Sequence, residues 1–441
     1  MYVKLFISFM ISFFALWMFQ SCHPHGYSSA DGGGTGRKEL VYDDFEYENT
    51  IKTVQLYPSR DKPQDVLEMP VVPLNDMSVN LTLEFDELSN TYRNYNYKLL
   101  HCNVDWTPSI VQDMEILSEY NEFTIDRYEI SNNTRKNYVH YWVVVPKVKI
   151  SGNYIIKVYR NGNQDDLILT RRFIVVDNKL GINTDIRFPM DVSKRFTHQQ
   201  VDFTIQYGGI YMFNPREMLK VMVRQNGRSD NMKKNLQPMF IREEETKLDY
   251  HLLDNSNVFP GGNEFRWFDI RSIRFQGRGV EGTTFDNEKA EAYLATDINR
   301  NIPNYTQYID FNGRYVVDNY ETNRGAVEAD YVYNYFTLKT PRPVDGDIYV
   351  FGLFTDWKLL PECKMRYDTA RQVYRGKILL KQGFYNYMYV VDKGRGIIDD
   401  IELEGTYNQT ENFYEVLAYM RPIGARYDHC IGYKRMGYFE R

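Results

Sequence analysis

The residues of this 441-residue chain best suited to nucleophilic or metal chemistry are seven histidines and four cysteines. His23 and His25 sit in a Gly-rich stretch, and His101, His140, His198, His251 and His429 stand singly, none with a partner at metal-ligand spacing. His101 adjoins Cys102, Asp105 and Trp106. Adjacent residues of a strand point to opposite faces, so a Cys/His pair cannot form there. Glycoside hydrolysis needs two carboxylates across a cleft. Asp165-Asp166 and Asp399-Asp400 would diverge on a strand, and Glu243-Glu244-Glu245 has the look of a solvated turn. Gly277, Gly279 and Gly282 spell GxGxxG, but Thr283-Thr284-Phe285 follows in place of a helix that could hold a pyrophosphate. No P-loop, HExxH or GxSxG occurs. The expectation is binding without catalysis, with no enzyme activity, no cofactor and no metal.

Charge narrows the partners. With 53 basic and 59 acidic side chains the net charge is −6, which argues against a nucleic-acid surface. Aromatics make up 15% of the chain, too many for disorder, and the 37 tyrosines suit half-buried pleated surfaces.

The elements that would position any site read as strands. Val79, Leu81, Leu83 and Phe85 alternate with polar residues, and Val201, Phe203, Ile205 and Tyr207 do the same. Further strands are expected at 95–104, 138–145, 154–159, 167–176, 219–224, 264–275, 331–339, 348–354, 372–380 and 384–392. Turn signals such as Asn161-Gly162, Asn226-Gly227 and Asn312-Gly313 separate them. The fold class is all-β, with tandem antiparallel β-sandwich (Ig-like) domains. The spacing predicts three of them, at 41–178, 179–340 and 341–441, the last after the stiff Thr340-Pro341-Arg342-Pro343. The stretch 286–301 has few turn residues and suits a short helix.

Residues 1–21 read as an export signal, with Lys4 followed by an apolar run too short for a spanning helix. Ser21-Cys22 resembles a bacterial lipoprotein cleavage site, making Cys22 a lipidation candidate; a plain secretory signal and a retained anchor stand beside it. Residues 22–40 form a Gly-rich linker. Of the later cysteines, Cys363 and Cys430 could pair, or all three stay buried thiols.

Two resemblances give this frame a function. YVFGLFTDWKLLP (349–361) and YRGKILLKQGFYNYMYVVD (374–392) resemble early-set immunoglobulin-like domains, which include starch- and glycogen-binding modules. That resemblance implies Trp357, Tyr385, Tyr387 and Tyr389 as sugar-stacking candidates, against a reading in which the three tyrosines pack on protein. LTLEFDELSNTYRNYNYKLLHCNVDWTPS (81–109), with Tyr120-Asn121-Glu122-Phe123, Ser131-Asn132-Asn133-Thr134, Tyr138-Val139-His140-Tyr141 and Ser151-Gly152-Asn153-Tyr154, resembles the plug protein of the type IX secretion system of Bacteroidota. GGNEFRWFDIRSIRF (261–275) and EADYVYNYFTL (328–338) extend the likeness over most of the chain.

The plug resemblance implies a non-enzymatic subunit that closes the periplasmic opening of a giant outer-membrane β-barrel translocon, held at the outer membrane by lipid if Cys22 is modified. The alternative is a glycan-binding envelope lipoprotein using the C-terminal region. Within 92–106, aromatics mix with polar residues in the manner of a contact surface, and Arg93, Asn94 and Asn96 are the candidate partner contacts, the even positions facing outward.

Overall fold

The computed structural model describes residues 38–322 and 324–438. The expected export signal, Cys22 and most of the 22–40 linker lie outside the described residues. Strands dominate, and apart from three short parallel pairings every ladder among the described strands is antiparallel. No helix of the described residues is long and apolar enough to cross a membrane.

Among the described residues six sheets pair into three sandwiches. The first joins a sheet built on Tyr95–Cys102, Gly152–Arg160 and Asn163–Val176 to one built on Ile51–Ser59, Asn80–Glu87 and Val139–Val145. The alternation of the sequence sets its core. Leu81, Leu83 and Phe85 from one sheet meet Tyr95, Tyr97 and Leu99 from the other. The hairpin between Gly152–Arg160 and Asn163–Val176 turns through Asn161 and Gly162, at φ +52° and +71°, the left-handed pair that a tight hairpin demands.

The other two sandwiches do not follow the chain in order. In the second, Gly181–Arg187, His198–Gln206 and Lys247–Tyr250 face a sheet ordered Lys233–Leu236, Leu219–Gln225, Phe413–Met420 and His429–Gly437. Leu219 is paired with Met420, and Gln225 with Tyr414. The third sandwich lies between those halves. Gly383–Asp392 bonds to Arg266–Asp269, Tyr315–Val317 and Asp347–Phe351, and packs on a sheet centred on Tyr331–Lys339 and Val373–Lys381.

A division at 340 therefore cuts both later sandwiches. Strands expected to form a separate 341–441 unit are shared, with 347–399 in the third sandwich and 413–437 in the second. The helix expected within 286–301 is instead the strands Ala290–Leu294 and Asp297–Ile298, whose small Ala290 and Ala292 side chains fit beneath the third core. The long strand expected at 264–275 ends at Asp269, because the chain folds back there: a Cβ on Gly277 would lie 2.0 Å from the Asp269 carbonyl oxygen.

Candidate functional site

His101 and its neighbour Cys102 are placed where they cannot act together. His101 is buried, its Nδ1 2.9 Å from the Ser109 hydroxyl, and desolvation pushes its pKa down to about 4. Cys102, on the opposite face of the strand, is pushed up to about 12 by burial. A neutral imidazole and a protonated thiol turned apart form no nucleophile. Cys363 and Cys430 are both free and buried, so the pairing expected as one alternative is absent: they belong to the third and second sandwiches respectively. Of the GxGxxG glycines, Gly282 lies within the strand Val280–Phe285, while Gly277 and Gly279 precede it and serve close backbone approach to Asp269 and Trp267. Among the described residues no cluster of three or more His, Cys, Asp or Glu could hold a metal ion.

Buried carboxylates exist that sequence reasoning did not single out. Burial pushes Asp310 up to about 7, and its oxygens accept from the backbone N–H groups of Phe265 and Asn312, both at 2.5 Å. Glu264 is raised by burial and accepts from the Tyr305 hydroxyl and the Glu411 N–H. These bonds staple loops. Neither carboxylate lines the cleft of about 390 Å³ between the second and third sandwiches. In that cleft Arg228 is held by Asp230 and Asp400, and the Asn226 and Asn412 amides bond to each other.

The glycan-stacking candidates are interior. Tyr385, Tyr387 and Tyr389 are 1%, 3% and 0% exposed, in the third core. Tyr387 and Tyr389 both donate to one Asp297 oxygen, at 2.6 and 2.8 Å. Trp357 packs edge-on against Phe265 and Phe351, with the Arg228 guanidinium 5.2 Å above it. All four are spent on packing, so no ring face is open to a sugar.

Buried charge also sits at the junctions between sandwiches. Asp86 of the first sandwich accepts from His140 at 2.8 Å, from Tyr331 at 2.7 Å and from Lys381 at 2.6 Å, the last two belonging to the third sandwich. Lys381 also donates to the Ala326 carbonyl and stands 4.1 Å over the Tyr138 ring. Desolvation alone would push the Asp86 carboxyl up; Lys381 and His140 overturn it and hold it below the ordinary carboxylate range. Nearby, Arg135 bridges to Asp330 at 2.8 Å and Arg171 to Glu46 and Asp356. The first and second sandwiches meet through Val71, Ile174 and Val176 against Met222, Leu417 and Tyr419, with the Tyr419 hydroxyl donating to Asn153 at 2.7 Å.

The contact candidates of the first sandwich lie outside its core. Tyr95 and Tyr97 point inward, Asn96 faces out, and Arg93 and Asn94 are exposed. Asn96 is not free of duties: its side chain accepts from the Gly162 N–H and donates to Thr124. Arg93 pairs with buried Glu87 at 3.2 Å. Beside them Tyr92 and Tyr128 stack at 4.7 Å while half exposed, and Ile130 extends the patch. Tyr128 was not picked out from sequence; its strand, Arg127–Ile130, is only four residues long and exposed throughout.

The described residues form an all-β body of three interlocked sandwiches, and the histidine, cysteine and carboxylate candidates of the sequence assemble no catalytic group among them. Residues 51–177 match the family described as type 9 secretion system plug protein 1st domain. The chain belongs to the type IX secretion plug family and takes part in that secretion system. A crystal structure of a hypothetical protein from Parabacteroides merdae ATCC 43184 is similar at 32% identity and TM-score 0.84, covering 90% of this chain and 100% of that one. Trypsin-activated alpha-2-macroglobulin from Escherichia coli aligns at 9% identity and TM-score 0.16, over 86% of this chain and 24% of that one. No curated protein matches. The matching family is a secretion component, and no catalytic family is indicated.

Proposed function

We propose that the protein is a non-enzymatic plug that closes the periplasmic opening of the giant outer-membrane barrel of the type IX translocon. The observation that carries this reading is the joining of three sandwiches, the first to the third through buried ion pairs and the first to the second through an apolar contact, in a chain whose first sandwich belongs to the plug family. An obstruction must hold its shape across an opening. Bodies joined by flexible linkers would lose entropy on being ordered there, whereas a body already fixed by Asp86–Lys381 and Arg171–Asp356 avoids that cost. Family membership supports a cell-envelope location; the periplasmic face of the outer membrane and a lipid on Cys22 are part of the proposal.

Deleting the gene should make cells sensitive to large antibiotics only while the barrel is present, and the barrel should co-purify with the tagged protein. Unchanged permeability with no co-purifying barrel would end the plug reading. Cys22→Ala should shift the protein from the membrane to the soluble fraction, since each buried CH₂ of a lipid chain contributes about 0.8 kcal/mol.

A further inference from the structure

The outer face of the third sandwich carries an ordered array that its own core does not require. The sheet runs Val280–Phe285, Ala290–Leu294, Tyr331–Lys339, Val373–Lys381 and Arg366–Asp368. Its inward positions, among them Ala292, Phe336, Leu338 and Ile378, fill the core. The alternate positions face away. Register places Gly282, Tyr293, Tyr335 and Lys377 in one row across four strands, and Thr337, Arg375 and Arg366 in the next.

The aromatic part of the array is exposed. Tyr293 and Tyr335 stack with ring centroids 4.9 Å apart, and Tyr293 is 39% exposed. Gly282, opposite Tyr293, is open on its outer side: a Cβ there would meet nothing within 4 Å. The rings therefore end on an uncovered step, where a partner's side chain has room to lie against Tyr293.

The charged part has one uncompensated sign. The Lys377 ammonium sits 4.1 Å above Tyr333 and 5.2 Å from Tyr335, and Lys136 of the first sandwich approaches Tyr333 from the margin at 5.3 Å. Among the described residues neither Lys377 nor Arg366 has a carboxylate within ion-pair distance. The outward carboxylates are already engaged: Glu291 accepts from Lys289 at 3.1 Å and from the Tyr335 hydroxyl at 2.8 Å, and Asp368 pairs with Arg371 at 3.0 Å and with Arg375 at 4.0 Å, which leaves Lys377, Arg366 and Lys339 without a carboxylate among the described residues. On a chain of net charge −6, four exposed outward cations, Lys339, Arg366, Arg375 and Lys377, mark a local reversal of sign.

We infer that this tyrosine and lysine face docks an acidic surface of the barrel that the protein plugs. The inference rests on the plug reading and adds to it the side of the molecule that meets the partner and the charge that partner presents. Aromatic rings supply most of the energy in such contacts, and uncompensated cations set orientation and the sign of the partner.

The test uses the full chain, tagged and purified from envelopes with its barrel, the barrel quantified by mass spectrometry. Wild type should retain the barrel, and retention should fall as salt is raised. Lys377→Glu with Arg375→Glu should reduce retention about tenfold or more, as should Tyr293→Ser, while Lys234→Glu on the second sandwich should not. Lys377, Arg375 and Tyr293 are exposed, and unchanged circular dichroism and melting temperature verify that their variants fold. A zero-length carbodiimide should join Lys377 or Lys339 to an Asp or Glu of the barrel. Equal retention by wild type and folded variants overturns the face and leaves the plug reading standing. Failure of wild type to retain any barrel overturns both. Binding of wild type to vesicles rich in phosphatidylglycerol, lost in the charge-reversal variant, with no crosslink to protein, assigns the face to lipid and overturns the acidic-protein partner.

Discussion

Asp86 takes three hydrogen bonds in an environment 1% exposed, and one of its donors is a lysine equally buried. Removing one member of such a pair strands the other charge in a medium that cannot solvate it. Asp86→Ala should therefore lower stability by about 3–5 kcal/mol in urea unfolding, and Asp86→Ala with Lys381→Met should recover much of the loss. If the double variant is as unstable as the single, the cost comes from lost packing and the unpaired lysine is not its source. Glu404 makes a pH test of the same physics. Burial alone would raise its carboxyl, but Arg266 and Arg300 outweigh burial and hold it at about 2. A folded pKa below the unfolded value contributes stability that is full above the ordinary carboxylate range and is lost as pH falls toward 2. The amount is about 3 kcal/mol for a fully buried carboxylate. Urea midpoints measured between pH 5 and pH 2 should fall steeply in the wild type and less steeply in Glu404→Gln. Parallel slopes would show that Glu404 does not control this range. None of these partnerships is visible in sequence, because Asp86 and Lys381, or Arg266 and Glu404, are brought together only by chain topology.

At the scale of elements, several strands with one face on a core and the other toward polar surroundings were legible. Tyr95–Cys102 and Tyr331–Lys339 alternate for that reason, and Asn80–Glu87 alternates because its second face carries Thr82, Glu84 and Asp86, the last two toward polar partners. Phe413–Met420 escaped because it is buried on both faces, with Tyr414, Val416 and Ala418 in the second core and Leu417 and Tyr419 against the first sandwich. A strand between two cores has no period to read. His429–Gly437 went unread with it, although it is the strand's ladder partner. The hairpin at Asn161 and Gly162 was legible from its turn residues, while the tie from Asn96 to the Gly162 N–H was not. That tie separates two variants which looked equivalent as contact residues. Asn96→Glu should lower the melting temperature, through loss of hydrogen bonds contributing about 1 kcal/mol each, whereas Asn94→Glu should leave it unchanged. Barrel retention reduced by Asn94→Glu at full stability supports a contact at this edge of the first sandwich; unchanged retention removes Asn94 from the interface.

Taken as a whole molecule, the chain cannot be cut at the hinge its prolines suggest. A fragment spanning 341–441 holds strands of two incomplete sandwiches and should be unfolded by circular dichroism and amide dispersion. A fragment spanning 38–178 contains all the strands of the first sandwich and should fold, though with Val71, Ile174 and Val176 newly exposed. A folded 341–441 fragment would contradict the strand pairings. Turn signals and strand counts in the sequence report how much sheet the chain can form, because both scale with length. The boundaries of the sandwiches were not legible, since local composition carries no record of which distant strand completes a sheet.

The pairing of Leu219 with Met420 joins residues about 200 positions apart, with the whole third sandwich between them. In a chain delivered from its N-terminus, the first sandwich can close early, and the third can close before the second. The second must wait with one sheet lacking two strands until the last segment arrives. An incompletely delivered chain would thus have a finished first sandwich, a finished third and an open apolar seam between them. The C-terminal strands act as a seal on synthesis, so that only a complete molecule presents the closed body on which the proposed plug role depends.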